Sequence, residues 1–253
     1  MYAMDDKRFR DRMRFSKTLA VLLVLTGCAQ QADKKPSRTE ETVSVPAAAA
    51  AEVTLPKETD KPAAVREYPV DAAASDIWIF VYRKGNLSRL GHDHVISAEN
   101  VNGRLLLADN IANSELELSI PVLSLVVDDP AVRQQAGLES DSQPAEKDIA
   151  STRRGMLGAK VLDAERFGVV KVQAKVAGGT LPELELDLIV TIRGVERQFR
   201  SPVKVEKTTE RITASGSFKI LQSDFGMQPF SVLAGALAVK DELKIQYRIE
   251  AGY

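Results

Sequence analysis

The sequence predicts an all-β fold: an antiparallel β-barrel of about eight strands with one short helix, preceded by a signal peptide and a disordered tether. Three observations predict it. From Tyr68 onward, apolar residues recur at every second position in run after run, the period of a strand with one buried face. Glycine- and proline-bearing turns separate those runs. The segment before Tyr68 has neither pattern, so the domains divide as 1–27, 28–67 and 68–253.

The chain starts with a basic stretch, Arg8, Arg10, Arg12, Arg14 and Lys17, followed by the apolar run from Leu19 to Leu25. At about 1.5 Å per residue this run falls far short of a hydrocarbon core of roughly 30 Å, so it reads as a secretory signal and not as a membrane span. Leu25-Thr26-Gly27-Cys28 resembles the lipobox of bacterial lipoproteins, and Cys28 is the only cysteine of the chain. The resemblance implies acylation of the Cys28 sulfur, and two or three acyl chains make a durable anchor where one does not. Ala29 follows the cysteine and no aspartate stands there, which by resemblance to lipoprotein sorting in enteric bacteria implies the outer over the inner membrane. The expected location is the periplasmic face of the bacterial cell envelope.

Residues 28–67 carry Pro36, Pro46, Pro56 and Pro62, the run Ala47 to Ala51 and interspersed charges of both signs. Such a stretch cannot bury enough apolar surface to offset the entropy of ordering, and is expected as a spacer.

The strands follow in order. Ile77 to Tyr82 is apolar on both faces and should be covered on both sides. Leu116, Leu118, Ile120 and Val122 alternate; so do Val170, Val172, Ala174 and Val176, then Leu184, Leu186, Leu188, Val190 and Ile192. Ile212, Ala214, Phe218 and Ile220 repeat the pattern, as do Leu243, Ile245, Tyr247 and Ile249. Turns are expected at Gly178-Gly179 and Arg193-Gly194, and Pro202 near a strand edge. One helix is expected from Pro144 to Leu157, with proline in its first turn and Gly158 at its end. Closing the sheet removes exposed edges and leaves room for packed side chains or a small apolar ligand.

Composition narrows the function. The 253 residues are 44% hydrophobic and 27% charged with a net charge of −1, which argues against a nucleic-acid partner. A lone cysteine excludes an intramolecular disulfide framework. There is no Gly-x-Ser-x-Gly elbow, no His-Glu-x-x-His and no phosphate loop, so no catalytic residue is assigned and the chain is not expected to be an enzyme.

Tyr68-Pro69-Val70-Asp71, Met156 through Val161 to Phe167, Val190 to Arg197, Ala214 to Phe218 and Gln222-Ser223-Asp224-Phe225-Gly226, in this order along the chain, together resemble the YceI-like family. The resemblance runs from Tyr68 to the end. It implies a lipocalin-like barrel in a periplasmic protein, with an interior that holds a polyisoprenoid or related lipid, the one bound molecule expected in place of a cofactor. Gln222 departs from the arginine that the family commonly has before Ser-Asp-Phe-Gly.

Two groups of residues are candidates for the site. The aromatics Trp78, Phe80, Tyr82, Phe199, Phe218 and Phe225 can line an apolar channel or simply pack the core. Trp78 and Phe80 share a face opposite Ile77 and Ile79, and either face can turn inward. His92 and His94, the only histidines, flank Asp93. In extended chain both rings project to one side, as a hydrogen-bonded cluster at a barrel mouth, a polar contact to a ligand, or a pair of metal ligands. The metal reading gives an alternative function, a metal-binding or metal-dependent envelope enzyme. A structural module with a filled core is the other.

Overall fold

The computed structural model describes residues 65–138 and 143–252; the signal segment, Cys28, nearly all of the tether, and the acidic Glu139 and Asp141 lie outside them. The strands are β1 (Val65–Pro69), β2 (Asp76–Lys84), β3 (His94–Ala98), β4 (Asn102–Ala108), β5 (Glu115–Pro121) and β6 (Leu125–Val127), then β7 (Val169–Thr180), β8 (Glu183–Ile192), β9 (Val195–Lys207), β10 (Arg211–Leu221), β11 (Ser231–Val232) and β12 (Leu237–Gly252). All pair antiparallel in one sheet of order β1-β4-β5-β7-β8-β9-β10-β12-β2-β3-β6, with β11 beside β12. The sheet curls until Val70, just after β1, bridges Ala251 of β12, and the Asp71 N–H donates to the Glu250 carbonyl at 2.9 Å. This is the antiparallel barrel fold that the alternation predicts. The described residues form twelve strands, more than the eight or so expected, and two of them, β6 and β11, are only three and two residues long.

The local chemistry explains most boundaries. Arg193 and Gly194 both hold positive φ (53° and 73°) between Ile192 and Val195, the two-residue turn whose twist matches an antiparallel pair. Gly178-Gly179, expected as a turn, instead lies inside β7, where the register with β8 shifts between Val176 and Gly178. Gly179 has φ +93°, and a Cβ there would sit 2.6 Å from the Glu183 carbonyl oxygen, so these glycines make a bulge. The turn itself falls at Leu181-Pro182.

Helix α1 (Pro130–Gln135) has no counterpart in the sequence reading, although its signal is present: the Asp129 carboxylate accepts from the Ala131 and Val132 N–H groups, and Pro130 occupies the first turn. Helix α2 (Glu146–Leu157) matches the expected helix but starts later. Pro144 precedes the Ala145 cap instead of entering the first turn, and Gly158 closes the helix with extended backbone (φ −72°).

Apolar side chains of alternate residues line the inside of the curl as one cluster. A smaller cluster of Tyr68, Leu107, Ile212 and Ala251 closes the end where β1, β4, β10 and β12 converge. The opposite end carries α2, the segment after β2, and the loop before β11.

Candidate functional site: an apolar cavity with a polar mouth

Inside the curl lies a cavity of about 980 Å³, at the upper end of the roughly 300–1,000 Å³ typical of small-molecule sites. Its walls are the inward-facing aliphatic residues of the strands. Ile77, Ile79 and Val81 come from β2; Leu116, Leu118 and Ile120 from β5; Val170, Val172 and Ala174 from β7. Leu186 to Ile192 supply the even positions of β8, and Leu243 to Ile249 the odd positions of β12. Polar residues gather at the end away from the small cluster: His92 and His94, Asp148, Ser151 and Thr152 of α2, Lys160, and Gln228. Tyr247 is a polar group farther in; its hydroxyl and the buried Ser201 Oγ are 3.1 Å apart. Burial pushes the Tyr247 phenol up, and the Ser201 hydrogen bond offsets part of that rise.

The mouth is organised around a buried carboxylate. Asp128 is 0% exposed and Arg133 2%. The Asp128 Oδ2 accepts from His94 Nδ1 at 2.5 Å, and its Oδ1 accepts from Arg133 Nη1 at 2.8 Å and from the Val95 N–H at 3.1 Å. Burial pushes the Asp128 carboxyl up, but the hydrogen bond and charge of His94, with the bonds from Val95 and Arg133, outweigh it and hold the group below the usual carboxylate range. Arg133 also donates to the Asp93 carbonyl at 2.8 Å. Asp93 in turn accepts from the Arg83 N–H at 2.8 Å, while Arg83 Nη1 donates to the Gly91 carbonyl at 2.6 Å. The His-Asp-His segment is thereby pinned, with His92 and His94 on the cavity wall and Asp93 turned to the strand beside it.

The aromatic candidates divide between the two faces. Ile77, Ile79 and Val81 face the cavity, so Trp78, Phe80 and Tyr82 lie on the other side of β2, a correction to their expected place in the lining. There Phe80 and Tyr82 stack at 6.2 Å, with Lys244 over the Phe80 ring and Lys240 over that of Tyr82. Phe218 does line the cavity. Phe199 and Phe225 lie behind it: Phe199 stands 5.7 Å from Phe218 and 6.2 Å from Phe225, and Phe225 is fully buried. They serve as wall packing. Among the described residues, no group of three or more His, Cys, Asp or Glu side chains is placed to hold a metal ion. The sequence reading missed Asp128 and Arg133, whose signal was the capped Asp129-Pro130 start of α1. It also passed over the aliphatic wall that its own alternation outlined.

An apolar chamber in an antiparallel barrel, with most of its polar groups at one end, defines the class of a barrel protein that binds an apolar ligand. The family model of the YceI-like domain matches residues 68–251, and the chain belongs to that family. The crystal structure of BcnA from Burkholderia cenocepacia shares the fold with a TM-score of 0.54 at 15% identity, over 72% of this chain and 99% of that one. The YCEI protein of Campylobacter jejuni aligns with a TM-score of 0.45 at 12% identity, over 62% of this chain and 84% of that one. Comparison with curated proteins finds no match.

Proposed function

We propose that this protein is a lipid-anchored carrier of the bacterial cell envelope, which holds a polyisoprenoid or related long apolar chain in its barrel and performs no chemistry on it. The observation that carries the reading is the cavity: about 980 Å³, walled mainly by aliphatic side chains, with most of its polar groups at one end. Burying a hydrocarbon chain there gains about 25 cal/mol per Å² removed from water, and a preformed wall reduces the ordering cost of binding. The end-on polarity favours a ligand with one polar terminus, set beside His92, His94 and the polar face of α2. Anchoring through an acylated Cys28 is supported by the Leu25-Thr26-Gly27-Cys28 sequence, with the tether as spacer to the periplasmic face of the outer membrane.

Native mass spectrometry of the full chain, extracted gently from bacterial membranes, tests this. An added mass that leaves on denaturation and matches an isoprenoid lipid is the expected result, together with acyl mass on the Cys28 peptide. A bare chain that takes up no polyprenyl analogue, or one heavier by a metal ion alone, would overturn it.

A further inference from the structure

Large apolar side chains stand in water beside the mouth of the cavity. Leu90 is 66% exposed, Phe230 55% and Leu233 67%, with Val232 also exposed. They come from two segments fixed to each other. The Leu87 N–H donates to the Ala236 carbonyl at 2.8 Å, β11 pairs with the start of β12, and a Cβ on Gly85 would sit 2.4 Å from the Ala236 oxygen. Phe230 and Val232 also line the cavity, so the exposed patch is the outward continuation of its wall. Leu233 and Ala234 hold φ of 50° and 53°, a left-handed conformation that bulky residues rarely adopt. Neither that conformation nor the exposure gains anything in water. Arg89 adjoins Leu90, and Lys84 and Lys160 are exposed on the segments beside it.

From this continuity of wall and rim we propose that the rim docks on an anionic lipid surface. Leu90, Phe230 and Leu233 enter the acyl region and Arg89 and Lys160 face headgroup phosphates, so that an apolar ligand passes between bilayer and cavity without crossing water. The proposal rests on the carrier reading above. A bilayer is the occupant that fits, because whatever covers this patch also covers the mouth. A protein partner or a second copy would seal the cavity, whereas lipid covers it and supplies the ligand.

The test uses the full chain with Cys28→Ser, which leaves no acyl anchor and no native thiol. An environment-sensitive fluorophore is placed at Leu233→Cys or, at the far end of the barrel, at Thr209→Cys. With vesicles of phosphatidylethanolamine and phosphatidylglycerol carrying brominated acyl chains, the probe at 233 should shift to the blue and lose most of its emission, while that at 209 loses none. Adding Leu90→Ser, a rim residue outside the cavity lining, should strongly reduce the quenching and leave the ligand mass in the cavity unchanged. Equal quenching at both positions overturns the proposal, as does a blue shift at 233 without vesicles accompanied by a doubled mass. An unquenched probe at 233 on a chain that still carries its ligand overturns the rim alone. A quenched probe on a chain that carries none overturns the passage of ligand together with the carrier reading.

Discussion

Replacing Asp128 by asparagine removes one charge from a site closed to bulk solvent. Its carboxylate is 0% exposed and accepts from His94, Arg133 and Val95, and the Arg133 guanidinium is itself 2% exposed. Breaking a buried ion pair from one side leaves the other charge uncompensated, at a cost of about 3–5 kcal/mol. Asparagine keeps the shape and tolerates the φ of +54° at this position, so the loss isolates the charge and not the backbone. It can still accept from Arg133, so the expected destabilisation is at the lower end, about 3 kcal/mol. Alanine forfeits every accepted bond and should cost more. Urea unfolding at pH 7, read as a shift of midpoint at constant slope, measures it. Adding Arg133→Met to Asp128→Asn removes the stranded cation and should recover part of the loss. The sign with pH follows from the lowered carboxyl. A depressed folded-state pKa contributes stability that is complete above the unfolded value of about 3.8 and is lost as pH falls through the folded one. The gap between the parent and Asp128→Asn should therefore persist from neutrality down to about pH 4 and close below it. A loss under about 1 kcal/mol at pH 7, with no recovery in the double variant, would refute the reasoning.

Ala174→Leu adds three carbons to the cavity wall, and at about 0.8 kcal/mol per methylene less roughly 0.5–1 kcal/mol of rotamer ordering it should leave stability unchanged or raised by about 1–2 kcal/mol, while lowering ligand occupancy in native mass spectra. A filled core would instead lose about 1–3 kcal/mol by overpacking, which the same urea titration separates. Phe225→Ala empties a fully buried site behind Phe199 and should cost about 3–5 kcal/mol in chemical denaturation. Gly216→Ala would set a Cβ 2.5 Å from the Pro202 carbonyl oxygen and from the Tyr247 hydroxyl, and thermal melting should show a loss of about 1–3 kcal/mol.

The strands were legible because their interior is lined on one face only, so that Leu184, Leu186 and Leu188 alternate with Glu185 and Asp187, and Val190 and Ile192 flank Thr191, with Ile189 the one apolar exception. The same rule fails on β2, where both faces are apolar and periodicity carries no direction; Trp78 and Phe80 could face either way, and the structure turns them from the cavity to the other side of the strand, where both are buried. The glycines of β7 misled for a related reason, since glycine permits a bulge and a turn equally. The mouth was half legible. His92 and His94 stand three or four dozen residues before Asp128 and Arg133 in the chain, and only the pairing of β3 with β6 brings them together. No local pattern encodes that meeting.

The ladder between β9 and β10 runs only from Lys207–Ile212 to Val203–Gly216, and it stops at Pro202, which has no N–H to give. Beyond that point the two strands keep their other neighbours, β8 and β12, and face each other through the rings of Phe199 and Phe218, backed by Phe225. In a hoop of unbroken hydrogen bonds the girth is fixed by strand number and stagger. Here one stave is joined to the next by ring packing over half its length, and rotamers turn far more cheaply than ladders break. Between these two strands the circumference at the open end is thus set by side-chain volume and not by backbone hydrogen bonds.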